Sequence, residues 1–346
     1  MMFITLFKKV TELFEKKLYI FYLLFLVFTI CISITYTFFY IDKFEYQFNE
    51  NNEIILKEIP FGYGQIIDNL YHYNKFEQIW FGINTYLTRL PFLPLFISSL
   101  SKISLNAYFV ITIKNIIFFS LIFYCTYVVS KNNNNRFPSF LILLGLFFYN
   151  FYNTTVLSAF VFADAYIAAI IPCIFLILIS NDKKKYILIS ALIFILYFTK
   201  TTVFYLAISI PILFLVLENN LKFFKKLLPI FSVSVAIILW GTFGQIKTGK
   251  FPIGSNMLSN NQEALSVTLN KDFKKYYPKL SVDLIPLENV DKKYDNEWEF
   301  SEYYKKKNKD YFVNNKLNIF KDVLIKLNFI FFNFRKDAID ADLYSD

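Results

Sequence analysis

The sequence predicts an all-α fold, a polytopic transmembrane helical bundle with a first loop and a C-terminal segment on the outer face. Of its 346 residues, 56% are hydrophobic and 18% are charged, and the mean hydropathy is +0.42. A soluble domain of this length does not hide so much apolar surface. The charged residues stand between long apolar runs, which is the pattern of a chain that crosses a bilayer several times.

Composition also excludes other classes of protein. An aromatic content of 21% is not found in disordered chains. The three cysteines lie in apolar runs, which excludes a disulfide scaffold, and the single histidine, His72, disfavours a histidine-based metal site. The formal net charge of +9 comes from basic residues between apolar runs, so we expect no nucleic acid partner. We also expect no cofactor, and no motif indicates a divalent cation.

Apolar runs that suit a hydrocarbon layer of about 30 Å recur through the first 244 residues. The first, at 18–41, follows a basic stretch without a small-residue cleavage site, and therefore predicts a signal-anchor helix. A shorter run at 91–106 contains Lys102 and four serines, which predicts a half-helix, a re-entrant segment or an uneven crossing. Further runs lie at 108–130, 137–157, 158–180, 186–199, 201–217 and 227–244.

The positive-inside rule orients this bundle. Basic residues collect on one side if 186–199 and 201–217 are two short crossings that turn at Lys200. We therefore expect a cytoplasmic N-terminus, an outer loop at 42–90, and a bacterial inner membrane as the location. If the run at 91–106 crosses the membrane fully, every later loop lies on the opposite side from this prediction, unless another element is re-entrant. The twelve basic residues on the predicted inner side are Lys8, Lys9, Lys16, Lys17, Lys131, Arg136, Lys183, Lys184, Lys185, Lys222, Lys225 and Lys226.

The same pattern divides the chain into two parts. Residues 1–244 form the predicted transmembrane domain, and residues 245–346 form a predicted extracytoplasmic polar segment. Within that segment, the spacing of polar residues over 317–334 predicts an amphipathic helix that lies along the membrane surface.

Ionisable residues within apolar runs are costly and mark functional candidates. Lys114, Asp164 and Lys200 are such residues. In the predicted topology Asp164 lies about 7 residues, roughly 10 Å, into an outside-to-inside helix. Lys200 lies at an outer turn, so both face the side of the outer loop.

The outer loop adds Glu58, Asp68 and Arg89 to this side. The catalytic candidates are Asp68, Glu58 and Asp164, because a carboxylate there would take a proton from an acceptor hydroxyl. Arg89 and Lys200 are the candidates for binding a donor phosphate.

Each of these residues also has a purely structural interpretation. Asp164 would pair with Lys114 or Lys200 inside the bundle, since intramembrane charges usually pair. Arg89 and Lys200 would anchor helices at the interface. The loop acids would be solvated, and His72 would be one of several interfacial aromatic residues.

Four stretches, in order, resemble one family. They are EIPFGYGQIIDNLYHYNKF…NTYLTRLPFLPLF in the first loop, LSAFVFADAYIAAIIPCIFLIL around Asp164, LYFTKTTVFYLAISIPILFLVL around Thr199 and Lys200, and WGTFGQIKTGKFPIGSNMLSNNQEAL after the last run. Together they resemble the GT-C glycosyltransferases of the protein mannosyltransferase and aminoarabinose transferase type. The matching positions are Tyr63, Asn69, Leu70, Phe76, Arg89, Pro91, Pro94, Asp164, Thr199, Lys200, Gly249, Phe251, Gly254 and Asn256.

The resemblance implies a hexosyl or pentosyl transferase that uses a polyprenyl-phosphate-linked sugar. Its acceptor would be a lipid-linked glycan, a lipid or a protein, attacked with inversion at the sugar. The family's first-loop carboxylate falls near Ile59 here, so Glu58 and Asp68 both remain candidates for the base. Relatives carry further helices, which implies a short or truncated member.

Two other functions fit a helical membrane protein with an outer loop. A transporter or flippase of lipid-linked sugars would show inverted repeats and charges along a path through the bundle, and neither is visible. A glycan polymerase or ligase would carry several arginines in the outer loop, where only Arg89 is present. A non-catalytic membrane subunit is a further alternative that the sequence does not exclude.

Overall fold

The computed structural model describes residues 17–40, 49, 51–59, 63–80, 82–132, 163–180, 182–200, 203–255, 296–314 and 316. Within these residues the chain is mostly helical, as the sequence predicts. The helices are α1 (Leu18–Tyr40), α2 (Gly64–Tyr73), α3 (Phe92–Ile103), α4 (Ala107–Asn132), α5 (Ala163–Ile179), α6 (Lys185–Thr199), α7 (Phe204–Leu217), α8 (Phe223–Thr248) and α9 (Glu297–Asn314). Strands β1 (Gln78–Trp80) and β2 (Ile83–Thr85) form a two-stranded sheet.

Among the residues that the structure describes, two helices are long and apolar enough to cross a bilayer. They are Ala107–Lys131 of α4, with 25 residues, and Phe223–Thr248, with 26 residues. At 1.5 Å per residue each is longer than the roughly 30 Å of a hydrocarbon layer. Shorter apolar helices are Tyr22–Ile32, Phe92–Ile103, Ala169–Ile179, Lys185–Thr199 and Phe204–Leu217.

The described residues fall into two compact units. The first contains α1 to α8 and extends to Ser255. The second contains Ile79–Thr88 and α9. In the second unit the buried Glu297 accepts hydrogen bonds from the backbone N–H groups of Tyr86 and Leu87, at 3.3 Å and 3.2 Å from Oε2. The predicted division at 244 falls inside α8, whereas the predicted crossing at 137–157 and the predicted helix at 317–334 lie outside the described residues.

Helix α1 runs antiparallel to α4. The hydroxyl of Tyr22, near the start of α1, lies 2.5 Å from Oγ of Ser130, near the end of α4. The same hydroxyl donates to the carbonyl of Thr126 at 3.3 Å. The first turns of α1 therefore lie beside the last turns of α4.

Helices α4 and α5 run parallel. Phe118 and Tyr166 make an edge-on contact with ring centroids 4.5 Å apart. Two turns further along, the Cys125 and Cys173 side chains hydrogen bond to each other. Both pairs have the same sequence offset, so the register holds over at least two helical turns.

Helix α6 runs antiparallel to α7 and parallel to α8. Oγ of Ser232 in α8 donates to the carbonyl of Ser190 in α6 at 2.7 Å. Near the start of both helices, the Lys225 ammonium lies 5.3 Å from the ring centroid of Tyr186. The helix ends therefore form two groups. We call the end where α4, α5 and α7 finish and α6 and α8 begin the basic end, and we call the opposite end the loop end.

A buried ion pair holds the basic end together. Lys185, the first residue of α6, pairs with Glu218, which follows α7, and both side chains are less than a tenth exposed. The Lys185 ammonium also donates to the carbonyls of Leu178 and Ser180 at the end of α5. Burial raises the pKa of Glu218, but hydrogen bonds from Lys185 and the Asn220 N–H outweigh it and hold the pKa below its ordinary value.

Candidate active site at the loop end

Helix α2 begins at a glycine that no other residue can replace without displacing backbone. A Cβ atom at Gly64 would lie 2.4 Å from the carbonyl oxygen of Lys57, 2.6 Å from that of Ile59 and 2.8 Å from that of Leu56. These carbonyls belong to the 3₁₀ turn Leu56–Glu58 and the residue after it. The absence of a side chain at Gly64 therefore lets this turn pack directly on the start of α2.

The docked turn brings a lysine to a buried carboxylate. Asp68, one turn into α2, is only 8% exposed. Its Oδ2 lies 3.9 Å from Nζ of Lys57, and its Oδ1 lies 3.6 Å from Nε2 of His72. His72 follows Asp68 by four residues, a spacing that places both on one face of the helix. Asp68 is thus a shielded carboxylate between two basic side chains.

The other candidate acid of this loop has a different environment. Glu58 ends the 3₁₀ turn, and its side chain is exposed. The sequence left Glu58 and Asp68 as equal candidates for the base. Their burial separates them, because a solvated glutamate lacks the shielded setting of Asp68.

The phosphate-binding candidate Arg89 lies against an aromatic ring. Its guanidinium carbon is 5.3 Å from the ring centroid of Tyr63, a cation–π distance. Tyr63 is buried at the N-cap of α2. Arg89 and the start of α2 therefore meet at Tyr63. Near the start of α5, Tyr166 is enclosed by the rings of Phe92, Phe96 and Phe118.

Two of the ionisable candidates from apolar runs, Asp164 and Lys114, lie close to Tyr166 along the chain or in register with it. Asp164 is in the first turn of α5, two residues before Tyr166, although its side chain is outside the described ones. Lys114 is buried, one turn before Phe118 along α4. Because α4 and α5 run in register, Lys114 lies level with the first turn of α5. The predicted pairing of Asp164 with a lysine stays a prediction.

Lys200 lies on the other side of the loop end. It is the C-cap residue of α6, its backbone is extended, and its side chain is half-buried. Three residues earlier, the hydroxyl of Tyr197 donates to the carbonyl of Ile253. Nε1 of Trp240 donates to the carbonyl of Gly254 at 2.9 Å. The segment after α8 thus folds back over the ends of α6 and α8.

An aromatic contact joins the end of α2 to helix α8. Phe76, which follows α2, places its ring edge-on against Trp240 and Phe243 of α8, with centroids 6.1 Å and 5.7 Å apart. Arg89 contacts Tyr63 at the N-cap of α2, and the same helix carries Asp68 five residues later. Lys200 lies on the α6–α8 side of the same end, while Glu58 is directed to solvent.

His72 is the site residue that the sequence reasoning missed. The sequence alone favours an interfacial aromatic residue at this position, but the imidazole faces Asp68. The signal was present, because an acid and a histidine four residues apart share a helix face. The signal is useful only if α2 is known to be a helix, and no apolar run predicts that helix. Among the described residues, no group of three or more His, Cys, Asp or Glu could hold a metal ion.

No protein-family model matches the chain, and no curated protein or solved structure matches it.

Proposed function

We propose that this protein is a membrane glycosyltransferase that moves a sugar from a polyprenyl-phosphate-linked donor to a cell-envelope acceptor on the outer face. The observation that supports it best is the arrangement around Tyr63. This ring contacts Arg89 and stands five residues before the buried Asp68. A base for the acceptor and a cation for the leaving phosphate are thereby offered at one end of an apolar helical bundle.

The surface of the bundle suits a lipid-linked donor. Large apolar side chains are exposed along α7 and α8, among them Ile212, Val216, Phe231, Ile238 and Leu239. Exposed apolar surface of this extent is expected where a protein contacts lipid. The polyprenyl chain would lie in the hydrocarbon layer, and its phosphate would lie at the depth where α3 begins, three residues after Arg89.

The lysines of the basic end support the orientation. Described lysines near this end include Lys17, Lys131, Lys184, Lys222 and Lys226. Under the positive-inside rule this end is cytoplasmic, and the loop end faces outward. The acceptor would then be reached from the outer side of a bacterial inner membrane.

The proposed chemistry is a direct displacement. A base at the Asp68–His72 pair removes a proton from the acceptor hydroxyl, which attacks the anomeric carbon from the side opposite the phosphate. Arg89 stabilises the negative charge that develops on the departing phosphate through its planar fork, and Lys200 adds a point charge. The protein contributes position and electrostatics, so the site needs no cofactor for this step.

A transfer assay tests this function. Purified protein is reconstituted into liposomes with polyprenyl-phosphate hexoses and pentoses and with a lipid extract of the native membrane. We expect an acceptor whose mass increases by one sugar residue, together with an equal amount of free polyprenyl phosphate. Donor that remains intact would contradict the proposal, and intact donor that has changed leaflet would favour the flippase alternative.

A further inference from the structure

We propose that His72 is the residue that accepts the proton of the acceptor hydroxyl, and that Asp68 is the positioning residue that holds its imidazole. This inference rests on the proposed transferase function and names the group of the site that touches the acceptor. The chain contains one histidine, so every experiment directed at histidine reports on this position alone.

Accessibility distinguishes the two side chains. The Asp68 side chain is 11% exposed, whereas the His72 side chain is 53% exposed. A bulky acceptor such as a lipid-linked glycan reaches an exposed imidazole more readily than a carboxylate that is buried behind it. The Asp68 oxygen nearest the ring lies 3.6 Å from Nε2, a separation that shortens to a hydrogen bond with a small movement, as often happens when substrate binds.

The surroundings of the imidazole favour one orientation. The ring of Tyr71 makes an edge-on contact at 4.8 Å between centroids, and that of Tyr73 lies at 5.9 Å. With Nε2 directed at Asp68, Nδ1 is the nitrogen left to accept a proton. The second oxygen of Asp68 faces Lys57, so this carboxylate is held from both sides.

Few other charges come from the elements packed against α2. The 3₁₀ turn contributes Lys57, directed at Asp68, and the exposed Glu58. Helix α3 contributes Lys102, whose ammonium lies 2.5 Å from Oδ1 of Asn74 at the end of α2. The carboxylate that faces the imidazole is therefore that of Asp68.

The proton and electron balance of the step is simple. The acceptor O–H bond breaks, and its proton moves to Nδ1 of His72. The acceptor oxygen forms a bond to the anomeric carbon, while the bond from that carbon to the phosphate oxygen breaks. The electron pair of the broken bond stays on the polyprenyl phosphate, beside Arg89. The imidazolium, paired with Asp68, then releases its proton to water.

The structural alternative is a stabilising pair four residues apart on a helix surface. Such a pair would support α2 without contacting the acceptor. Its loss would affect the protein's yield and melting temperature, but it would leave the turnover of the folded protein unchanged and insensitive to added imidazole.

The test uses the transfer assay with purified, reconstituted full-length protein. His72→Ala should lower turnover about 10²–10⁴-fold, the usual contribution of a general base, and added imidazole should restore part of it. Asp68→Asn should lower turnover as well, and the double variant should be little worse than either single one. Glu77→Gln, which removes a loop carboxylate paired with Lys75, is the matched control and should retain turnover.

A chemical experiment on the wild-type protein avoids any folding defect of the variants. Diethyl pyrocarbonate modifies the single imidazole and should abolish transfer, and hydroxylamine should restore it.

The outcomes separate the two proposals. Transfer by the wild type with near-normal turnover in His72→Ala, or after carbethoxylation, would overturn the role of His72 and leave the transferase function in place. Intact donor with the wild-type protein would overturn both. Loss of transfer in His72→Ala with rescue by imidazole would establish the role of His72, because rescue requires a folded protein with an emptied base position.

Discussion

Gly64→Ala is expected to separate the 3₁₀ turn from α2 and to inactivate the protein. The new Cβ would lie 2.4 Å from the Lys57 carbonyl oxygen, with two further carbonyls below 3.0 Å. Ordinary contact begins at about 3.4 Å, so the turn must move by roughly 1 Å, and backbone carbonyls cannot rotate away. Overpacking of this kind costs about 1–3 kcal/mol.

Moving the turn away from Gly64 also breaks a backbone hydrogen bond. The Gly64 N–H donates to the Ile59 carbonyl at 3.1 Å, and losing that bond adds about 1 kcal/mol. The total is about 2–4 kcal/mol for the docking of the turn. Lys57, already 3.9 Å from Asp68, would leave it, and the shielded carboxylate would gain water.

Gly241→Ala provides the comparison for this prediction. Its Cβ would lie 2.0 Å from a ring atom of Phe251, which is closer than any contact at Gly64. That ring is 50% exposed and is free to swing outward, so the cost should be smaller. Unfolding is followed by the fluorescence of the three tryptophans, together with transfer activity. A Gly64→Ala protein that melts no lower than Gly241→Ala, and that still transfers sugar, would refute the close docking.

Three further outcomes follow from the site and the basic end. Asp68→Asn should lower transfer about 10²–10⁴-fold, whereas the exposed Glu58→Gln should stay near wild type; equal losses would show that burial does not select the acid. Arg89→Lys should weaken donor binding more than it lowers protein yield, because a point charge does not replace a bidentate fork; unchanged donor affinity would identify a helix anchor. Glu218→Gln leaves Lys185 buried without its carboxylate and should cost about 3–5 kcal/mol, measured by thermal unfolding. The folded-state pKa of Glu218 is lowered, so the pair's contribution to the free energy of unfolding is complete above the ordinary glutamate pKa of about 4.3. That contribution is lost as pH falls through the lowered value. A wild-type melting temperature that does not fall in that pH range would contradict the pair.

The helices of the bundle were accessible from sequence because apolar runs determine them. The run predicted at 108–130 is helix Ala107–Asn132, and the run at 186–199 is Lys185–Thr199. In contrast, α2 has ten residues, too short for an apolar run to identify it. Its position depends on the backbone packing at Gly64, which only tertiary structure reveals. Helix α9 is mostly polar, with no apolar run, so hydropathy gave no signal for Glu297–Asn314.

Part of the candidate site could likewise be predicted from the sequence, and part could not. Charge patterning predicts which residue types form the site and at which end of the bundle they lie. Arg89, which precedes α3, is an example. The choice between Glu58 and Asp68 does not follow from charge patterning, because the two differ in burial and not in sequence character. The imidazole of His72 next to Asp68 required knowledge that α2 is a helix, since only that geometry brings residues four apart together.

The anomeric configuration of the transferred sugar tests the central claim most directly. In the proposed mechanism a single base acts on the acceptor while Arg89 and Lys200 stabilise the departing phosphate, so transfer is a single displacement. Proton NMR of the product formed from a donor of known configuration should show inversion at the anomeric carbon. Retention of configuration would contradict the single displacement, because it would require a covalent sugar–enzyme intermediate.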